Sequence, residues 1–149
     1  MPRAAALAVA LALAGPPAGA AVVGDCDTPL ANARNLARPI AGASREFSNG
    51  EVAFLYVLLD EPACCGAHLM VLWPDPETGH ALCRFVSTAD GLGWSTLDLA
   101  AARAAYDPAR GLAVAVPATR WDGEASFVPF TLTVSLDRAA GLVTATEGP

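Results

Sequence analysis

Four cysteines and two histidines are the residues of this sequence whose types and spacing could do chemistry. Thiolates and imidazoles bind zinc or Cu(I), whereas an even number of cysteines in an exported chain favours structural disulfide bonds. The same residues therefore support two interpretations, a pair of disulfide bonds or a metal site. They are Cys26, Cys64, Cys65, Cys83, His68 and His80.

Four cysteines allow three disulfide pairings. Two of these join Cys26 to one member of the adjacent pair Cys64 and Cys65, and join Cys83 to the other. The third pairing joins Cys26 to Cys83 and the two adjacent cysteines to each other, and strain in the intervening peptide ranks it last. However, the hairpin predicted below places Leu72 opposite Cys83 and leaves Cys65 about 24 Å away, too far for a bond. The sequence leaves this conflict open.

A metal site would use Cys64, Cys65 and His68, with Cys26 or Cys83 as a further ligand. The spacing matches no zinc-finger template, because adjacent cysteines seldom both bind one structural zinc ion. In an oxidising compartment the same thiols are consumed by disulfide formation. We therefore expect two disulfide bonds and no cofactor, and keep a periplasmic zinc or copper protein as the alternative.

Carboxylates supply a second alternative, a small hydrolase. Asp60 and Glu61 are adjacent, and Asp122 and Glu124 share a polar loop, so either pair could provide an acid and a base. However, adjacent strand residues point to opposite faces, and carboxylates in a polar loop are ordinarily solvated. The chain also lacks a Gly-x-Ser-x-Gly elbow and a His-Glu-x-x-His motif. These features favour a protein that is not an enzyme.

Three tryptophans lie near the ends of predicted strands, beside loops. Loops on a rigid sheet scaffold often carry recognition residues, and tryptophan combines a large apolar ring with a polar N–H. Trp121 follows Arg120 and precedes a polar loop, so of the three it is the best candidate for exposure and for a binding role. The favoured interpretation is that Trp73, Trp94 and Trp121 all seal the ends of the core.

Alternating apolar and polar residues predict β-strands through most of the chain after residue 44. The clearest case is residues 130–136, where Phe, Leu, Val and Leu alternate with Thr, Thr and Ser. Three Asp-x-x-x-Gly segments between apolar stretches predict hairpin turns at residues 75–79, 107–111 and 137–141. The predicted fold class is all-β, an antiparallel β-sandwich of hairpins, with a small closed β-barrel as the alternative. The predicted strands cover residues 44–48, 51–60, 67–74, 80–88, 93–97, 112–118, 127–137 and 142–147.

One or two short helices complete the prediction. Thr28 and Pro29 could begin a helix that ends before Pro39, although an extended arm fits residues 28–38 equally well. The alanine-rich residues 97–104 could form two further helical turns. Pro117 suggests an edge strand or the end of a strand.

The first twenty residues have the pattern of a secretory signal peptide. A short basic start, an apolar stretch over residues 4–14 and Ala18-Gly19-Ala20 predict cleavage after Ala20. Residues 21–149 then form a single β domain, exported to the periplasm or the extracellular space. We expect no stable membrane insertion of this domain, because its longest unbroken apolar run is residues 52–59.

Composition narrows the choice of partner. The net charge of −6 argues against a nucleic-acid partner. Export, an acidic surface and the lack of a catalytic set favour a non-enzymatic binding or accessory module. We expect its partner to be a protein or a small ligand, whose identity the sequence does not indicate.

Overall fold

Two antiparallel β-sheets make up the part of the chain that the structure, a computed structural model, describes: residues 20–60 and 63–149. The first sheet has the order β1-β5-β4-β3-β2, and its strands are β1 (Ala21–Asp25), β2 (Ser44–Phe47), β3 (Val52–Leu58), β4 (Ala67–Pro74) and β5 (Ala81–Thr88). The second sheet has the order β10-β9-β8, and both β6 and β7 pair with the remaining edge of β8. Its strands are β6 (Thr96–Leu97), β7 (Arg103–Asp107), β8 (Gly111–Trp121), β9 (Phe127–Asp137) and β10 (Leu142–Gly148).

The sandwich prediction is confirmed, and the barrel alternative is wrong, because neither sheet closes on itself within the described residues. The predicted signal peptide lies outside those residues, apart from Ala20. No helix in residues 20–60 or 63–149 has the length and apolar character needed to cross a bilayer.

The core lies between the two sheets and follows the alternation seen in the sequence. Val114 of β8 pairs with Val134 of β9, and neither side chain is exposed to solvent. Leu69 and Val71 of β4 are equally buried in the facing sheet. Val57 and Phe85 are buried but lie outside this core, where Phe85 stacks on His68, and Leu55 and Leu59 are partly exposed. The other residues that the pattern places in the core are part of it: Phe54, Leu69, Val71, Leu97, Val114, Val116, Phe130, Leu132, Val134, Leu136 and Val143.

The predicted Asp-x-x-x-Gly turns form as expected. Asp75 donates its backbone N–H to the carbonyl of His80 at 2.7 Å, which closes the β4–β5 hairpin. One carboxylate oxygen of Asp75 accepts the backbone N–H groups of Glu77 and Thr78, at 2.9 and 2.8 Å. These bonds hold the pKa of Asp75 below its ordinary value, the bond from Thr78 having the largest effect. Turn chemistry therefore sets the register of this hairpin.

Residues 97–104 do not form the predicted helix. β6 ends and β7 begins within this range, and a turn joins the two strands. Leu99 and Ala102 are both 2% exposed, and β7 pairs with β8 along its whole length. Burial in the core and pairing with β8 thus outweigh the helix propensity of the alanines.

Residues 28–38 form neither the continuous helix nor the fully extended arm that the sequence suggests. Asn32 caps a single short turn, its side-chain oxygen accepting a backbone N–H of that turn at 3.1 Å. Leu36 then forms an antiparallel bridge with Val57 of β3. The segment therefore forms one short turn and is then fixed to the edge of the first sheet through Leu36. The two 3-10 helices of the described chain are Ala33–Asn35 and Ile40–Gly42.

Pro117 lies inside a central strand rather than at an edge or a strand end. Its carbonyl accepts the N–H of Asp98 at 2.8 Å, so its nitrogen faces the same side of β8. On that side β6 has ended and β7 has not yet begun. The missing N–H of proline therefore falls opposite a gap between two partner strands.

The sandwich has two ends that differ in construction. The hairpin end carries the turns at residues 48–51, 75–80, 107–111 and 138–141. The disulfide end carries residues 63–66, 89–95 and 122–126, and it is named for the Cys64–Cys65 disulfide described below. β1 begins at the disulfide end, where Ala21 pairs with Thr88, and β10 ends toward it, where Gly148 pairs with Thr131.

Candidate functional site

All four cysteines form disulfide bonds, in the pairing that local strain ranks last. β1 and β5 align so that Asp25 faces Arg84, which brings the next residue, Cys26, opposite Cys83. These two cysteines are bonded, with their Cα atoms 5.8 Å apart. Cys64 and Cys65 are bonded to each other. The ranking by strain was wrong, and the distance argument was right, because the β4–β5 register places Cys83 opposite Leu72.

The proposed metal ligands do not meet as a site. Cys64 and Cys65 are bonded to each other and therefore present no thiolates, and His68 is fully buried. His80 is exposed at the hairpin end. Within residues 20–60 and 63–149, no three His, Cys, Asp or Glu side chains form a group that could hold a metal ion.

His68 forms a buried pair with a serine. Its Nδ1 lies 2.8 Å from Oγ of Ser87, and its ring stacks on Phe85 with the centroids 5.2 Å apart. Burial lowers the pKa of His68 to about 4, so the ring is neutral at pH 7. Ser87 is 6% exposed, so a substrate outside the fold does not reach this pair. The pair is therefore structural and does not form a nucleophile site.

Gly93 holds the 89–95 loop directly over the His68 ring. Its φ is +83°, and a Cβ at this position would lie 2.7 Å from the carbonyl oxygen of Ala67 and 2.8 Å from Cε1 of His68. A side chain at position 93 has neither a favourable backbone conformation nor space. Glycine is therefore required for this loop to close against β4.

Four hydrogen bonds tie residues 64–67 to the 89–95 loop. Ser95 donates its hydroxyl to the carbonyl of Cys64 at 2.6 Å, and Gly66 donates its N–H to the carbonyl of Leu92 at 2.9 Å. Ala67 and Trp94 each donate a backbone N–H to the carbonyl of the other, both at 2.9 Å. Because Trp94 also packs against Phe130 of the second sheet, the cysteine loop is connected to both sheets.

A cavity of about 310 Å³ lies at the disulfide end. One wall is the Cys64–Cys65 disulfide, another is the 89–95 loop, and a third is the tip of the β8–β9 hairpin. The side chains combine apolar, cationic and anionic chemistry in one place. The lining residues are Cys64, Cys65, Thr88, Asp90, Leu92, Gly93, Trp94, Arg120, Trp121, Asp122 and Gly123.

The β8–β9 hairpin extends beyond its neighbours at this end. β6 reaches β8 only at Thr119, and β10 leaves β9 at Thr131. Beyond these residues Trp121 packs on Phe127, the ring centroids being 5.1 Å apart. Phe127 is 57% exposed and Trp121 is partly exposed, so the favoured interpretation that all three tryptophans seal the core is wrong for Trp121. Trp73 and Trp94 are buried instead and seal the two ends of the core.

Arg120 is held against one side of the cavity by Glu147. Its Nη1 lies 2.7 Å from Oε2 of Glu147, and its guanidinium lies 5.5 Å from the centre of the Phe130 ring. The other oxygen of Glu147 accepts the indole N–H of Trp94 at 2.9 Å. Arginine and glutamate therefore neutralise each other at the cavity wall.

Two carboxylates at the cavity carry full negative charge at neutral pH. Asp90 accepts the hydroxyl of Thr88 at 2.5 Å and the N–H of Leu92 at 3.0 Å, and the Thr88 bond is the main cause of its lowered pKa. Asp122 accepts three backbone N–H groups of its own turn, and these bonds, led by that of Glu124, lower its pKa as well. Both groups prefer the ionised form for the same reason, hydrogen bonds to the charged oxygen.

One of the two carboxylate pairs that suggested a hydrolase lies in the β8–β9 turn. Asp122 caps this turn, and Glu124 is exposed within it. Of the other pair, Asp60 is exposed after β3, and Glu61 lies outside the described residues.

The sequence singled out the cysteines and Trp121 but missed Asp90 and Gly93 as parts of one site. Gly91-Leu92-Gly93 reads as a loop, and its glycines indicate backbone freedom without indicating a neighbour. Contacts between distant segments, the bridge between Ala67 and Trp94 and the hydrogen bonds described above, bring this loop beside the cysteines. The signal that could have found it is the second glycine, which marks a close backbone approach.

The hairpin end contains a larger cavity of about 520 Å³. Tyr106, which is 72% exposed, stands beside it, and Arg138 at its edge is paired with Glu51. Its lining also includes Ser48, Leu112, Leu136 and Asp137, together with prolines, alanines and turn backbone. It differs from the smaller cavity in having one aromatic residue instead of two and no disulfide in its wall.

Comparison with known proteins finds no matching family model, no matching curated protein and no matching solved structure.

Proposed function

We propose that the protein is an exported, non-enzymatic binding or accessory module whose ligand occupies the cavity at the disulfide end. The observation that carries the proposal is the placement of Trp121 and the Cys64–Cys65 disulfide around one cavity. Apolar walls with a few placed polar groups are the usual composition of a ligand site. The volume of about 310 Å³ lies at the small end of such sites, which favours a small ligand or a single side chain.

The rigidity of the walls also supports this proposal. The disulfide, the hydrogen bond from Ser95 to Cys64 and the close packing of Gly93 all fix the loops before any ligand arrives. A site that is already ordered loses less conformational entropy on binding. Such an arrangement suits recognition by loops on a rigid sandwich.

Export is supported by the disulfide bonds and by the signal-peptide pattern of residues 1–20. Disulfides persist in oxidising compartments and are rare where thiols are kept reduced. All four cysteines are bonded, so neither disulfide would be expected to survive in a reducing cytosol.

The alternatives have less support. A zinc or copper protein would need free thiolates, whereas both candidate cysteines are bonded to each other. A hydrolase using His68 would need substrate access to a side chain that is fully buried.

Fluorine NMR on protein labelled with 5-fluorotryptophan tests the proposal. The three tryptophans report on different places: Trp121 and Trp94 line the cavity, while Trp73 is buried toward the hairpin end. Screening a library of small fragments should shift the Trp121 signal and leave Trp73 unchanged. Substituting Trp121→Ala should abolish binding of those fragments.

The matched control is Tyr106→Ala, which removes an exposed aromatic side chain beside the other cavity. We expect this variant to bind the same fragments as the unmodified protein. Fragments that depend on Tyr106 and not on Trp121 would place the binding site at the hairpin end and refute the proposal, as would a screen in which no fragment affects Trp121.

A further inference from the structure

We propose that the cavity at the disulfide end takes a small organic cation with an apolar body, such as an alkylammonium compound. This inference rests on the proposed function, because it names the class of ligand for the same site. The argument uses the charges around the cavity, the apolar surfaces that line it and its size.

The charges around the cavity leave an excess of negative charge. Asp90 and Asp122 are both ionised, and each is held by hydrogen bonds to Oδ1. Arg120 is the one cationic side chain among the lining residues that the structure describes, and its charge is already matched by Glu147 at 2.7 Å. A cation entering the cavity therefore meets uncompensated carboxylates, whereas an anion is repelled by them.

The carboxylates are fixed by the fold and not by a ligand. Asp122 is held by three N–H groups of a turn, and Asp90 is held by Thr88 and Leu92. In the described part of the chain, no side chain donates a hydrogen bond to Oδ2 of either residue. Each carboxylate therefore keeps one oxygen with spare hydrogen-bonding capacity, while the loop fixes its position.

The remaining walls suit an apolar body attached to the charge. Leu92, the disulfide and the Trp121 indole line the cavity, and the face of an indole attracts cations. A metal ion would gain little from these walls, because it needs several oxygen or nitrogen ligands and the described residues bring no such group together. The surroundings therefore favour an alkylated cation over a bare one.

Size fits a small cation. A volume of about 310 Å³ accommodates a compound of choline size. The net charge of −6 on the chain would also draw cations toward the protein from a distance at low salt. We assign the cavity to a free alkylammonium ion, and a lysine-like probe below tests the other source of the same chemistry, a cationic side chain of a partner protein.

Three compounds of almost identical shape separate charge from fit. Choline is the cationic probe, 3,3-dimethyl-1-butanol is its neutral isostere, and 3,3-dimethylbutanoate is an anion of similar size. With the fluorotryptophan-labelled protein, choline should shift the Trp121 signal at a concentration about threefold to tenfold lower than the neutral isostere, in line with a surface cation–π contact. The anion should show no binding, and the advantage of choline should shrink in 1 M salt.

Matched variants test the carboxylates. Asp122→Asn and Asp90→Asn keep an acceptor oxygen for the loop and remove the charge, so each should lower choline affinity severalfold. Asp137→Asn removes the same type of turn carboxylate at the hairpin end, where Asp137 accepts the N–H of Ala139, and should leave choline binding unchanged. Binding of the neutral isostere should be equal in all three variants.

The outcomes distinguish this inference from the proposed function. Equal affinity for choline and its neutral isostere at Trp121 would overturn the cation assignment and retain the binding site. Binding of Nα-acetyl-lysine methylamide that is tighter than that of choline would overturn the assignment to a free small molecule. If neither the probes nor any fragment affects Trp121, the binding site itself is refuted.

Discussion

The two ends of the sandwich use the same residue types for different purposes. At the hairpin end, Asp75 and Gly79 close a turn within one hairpin, and the turn contacts little else. At the disulfide end, Asp90 and Gly93 close a loop against another loop and against β4. The hairpin end therefore depends on local sequence, whereas the disulfide end depends on contacts between segments far apart in the chain. Substitutions at matched residues measure how far this difference extends.

The largest expected effect separates the two disulfides. Cys26 and Cys83 are 57 residues apart, so replacing both by serine should lower the free energy of unfolding by about 4 kcal/mol, since a long loop in the unfolded chain is released. The Cys64–Cys65 disulfide closes no comparable loop, because its cysteines are adjacent. Replacing both by serine should therefore lower the free energy of unfolding by only about 1 kcal/mol. Urea denaturation of both double variants under oxidising conditions gives the comparison. Equal losses would show that the adjacent pair also constrains the fold as a whole.

The next largest effect is expected for Gly93→Ala, which should lower the free energy of unfolding by about 3 kcal/mol. The causes are the positive φ at this position and the clash of the added Cβ with Ala67 and His68. Gly79→Ala is the matched control, because Gly79 also has a positive φ but no atom lies within 4 Å of the added Cβ. It should cost about 1 kcal/mol. Gly111 is unsuitable as a control, since a Cβ there would meet the carbonyl of Leu136. Thermal and urea denaturation measure both variants, and similar losses would contradict the difference in packing.

His68 should make stability depend on pH. Its pKa is about 4 in the folded protein and 6.5 when unfolded, so the unfolded chain binds the proton first as pH falls. The stabilisation is fully present above pH 6.5 and is lost as pH decreases toward 4, by on the order of 3 kcal/mol. His68→Asn should remove this component from urea denaturation curves recorded between pH 7 and pH 4. His80→Asn, at the exposed histidine of the hairpin end, is the control and should leave the pH dependence of stability intact. A pH dependence that persists in His68→Asn would contradict the prediction for His68.

The smallest expected effect concerns the two exposed aromatic residues. Trp121→Ala removes a cross-strand contact with Phe127 and should cost less than about 1 kcal/mol. Tyr106→Ala, at a residue that is 72% exposed, should cost less than about 0.5 kcal/mol. Differential scanning calorimetry would detect either change. A large loss at Trp121 would mean that this side chain supports the fold and would weaken its role as a recognition residue.

The hairpin end could be predicted from the sequence because its determinants are local. The Asp75 and Gly79 turn chemistry fixes which residues face each other, and the pairing of Leu72 with Cys83 follows directly. The alternating pattern similarly predicts β9 from Phe127 to Asp137. In contrast, β7 escapes prediction because all five of its residues are exposed, so it has no alternation to recognise.

The disulfide end could be predicted only in part. Trp121 was found because a tryptophan beside a polar loop is a local signal. The cavity itself depends on the hydrogen bond from Gly66 to Leu92 and on the bridge between Ala67 and Trp94, which join residues more than 25 positions apart. The cysteine pairing was also hard to predict from local sequence. Strain in the peptide between Cys64 and Cys65 argued against their disulfide, but the register of β4 and β5 decides the pairing, because it places Cys83 opposite Leu72. No pattern of neighbouring residues carries that information.

The positions of the two termini of the described chain bear on how binding is measured. Ala21 pairs with Thr88, and Gly148 pairs with Thr131, so both termini emerge toward the disulfide end. A surface linkage at Ala21 or Gly148 would therefore place the cavity at the end of the sandwich that faces the support. The 138–141 turn lies at the opposite end, so a coupling group engineered there would place the cavity away from the sensor.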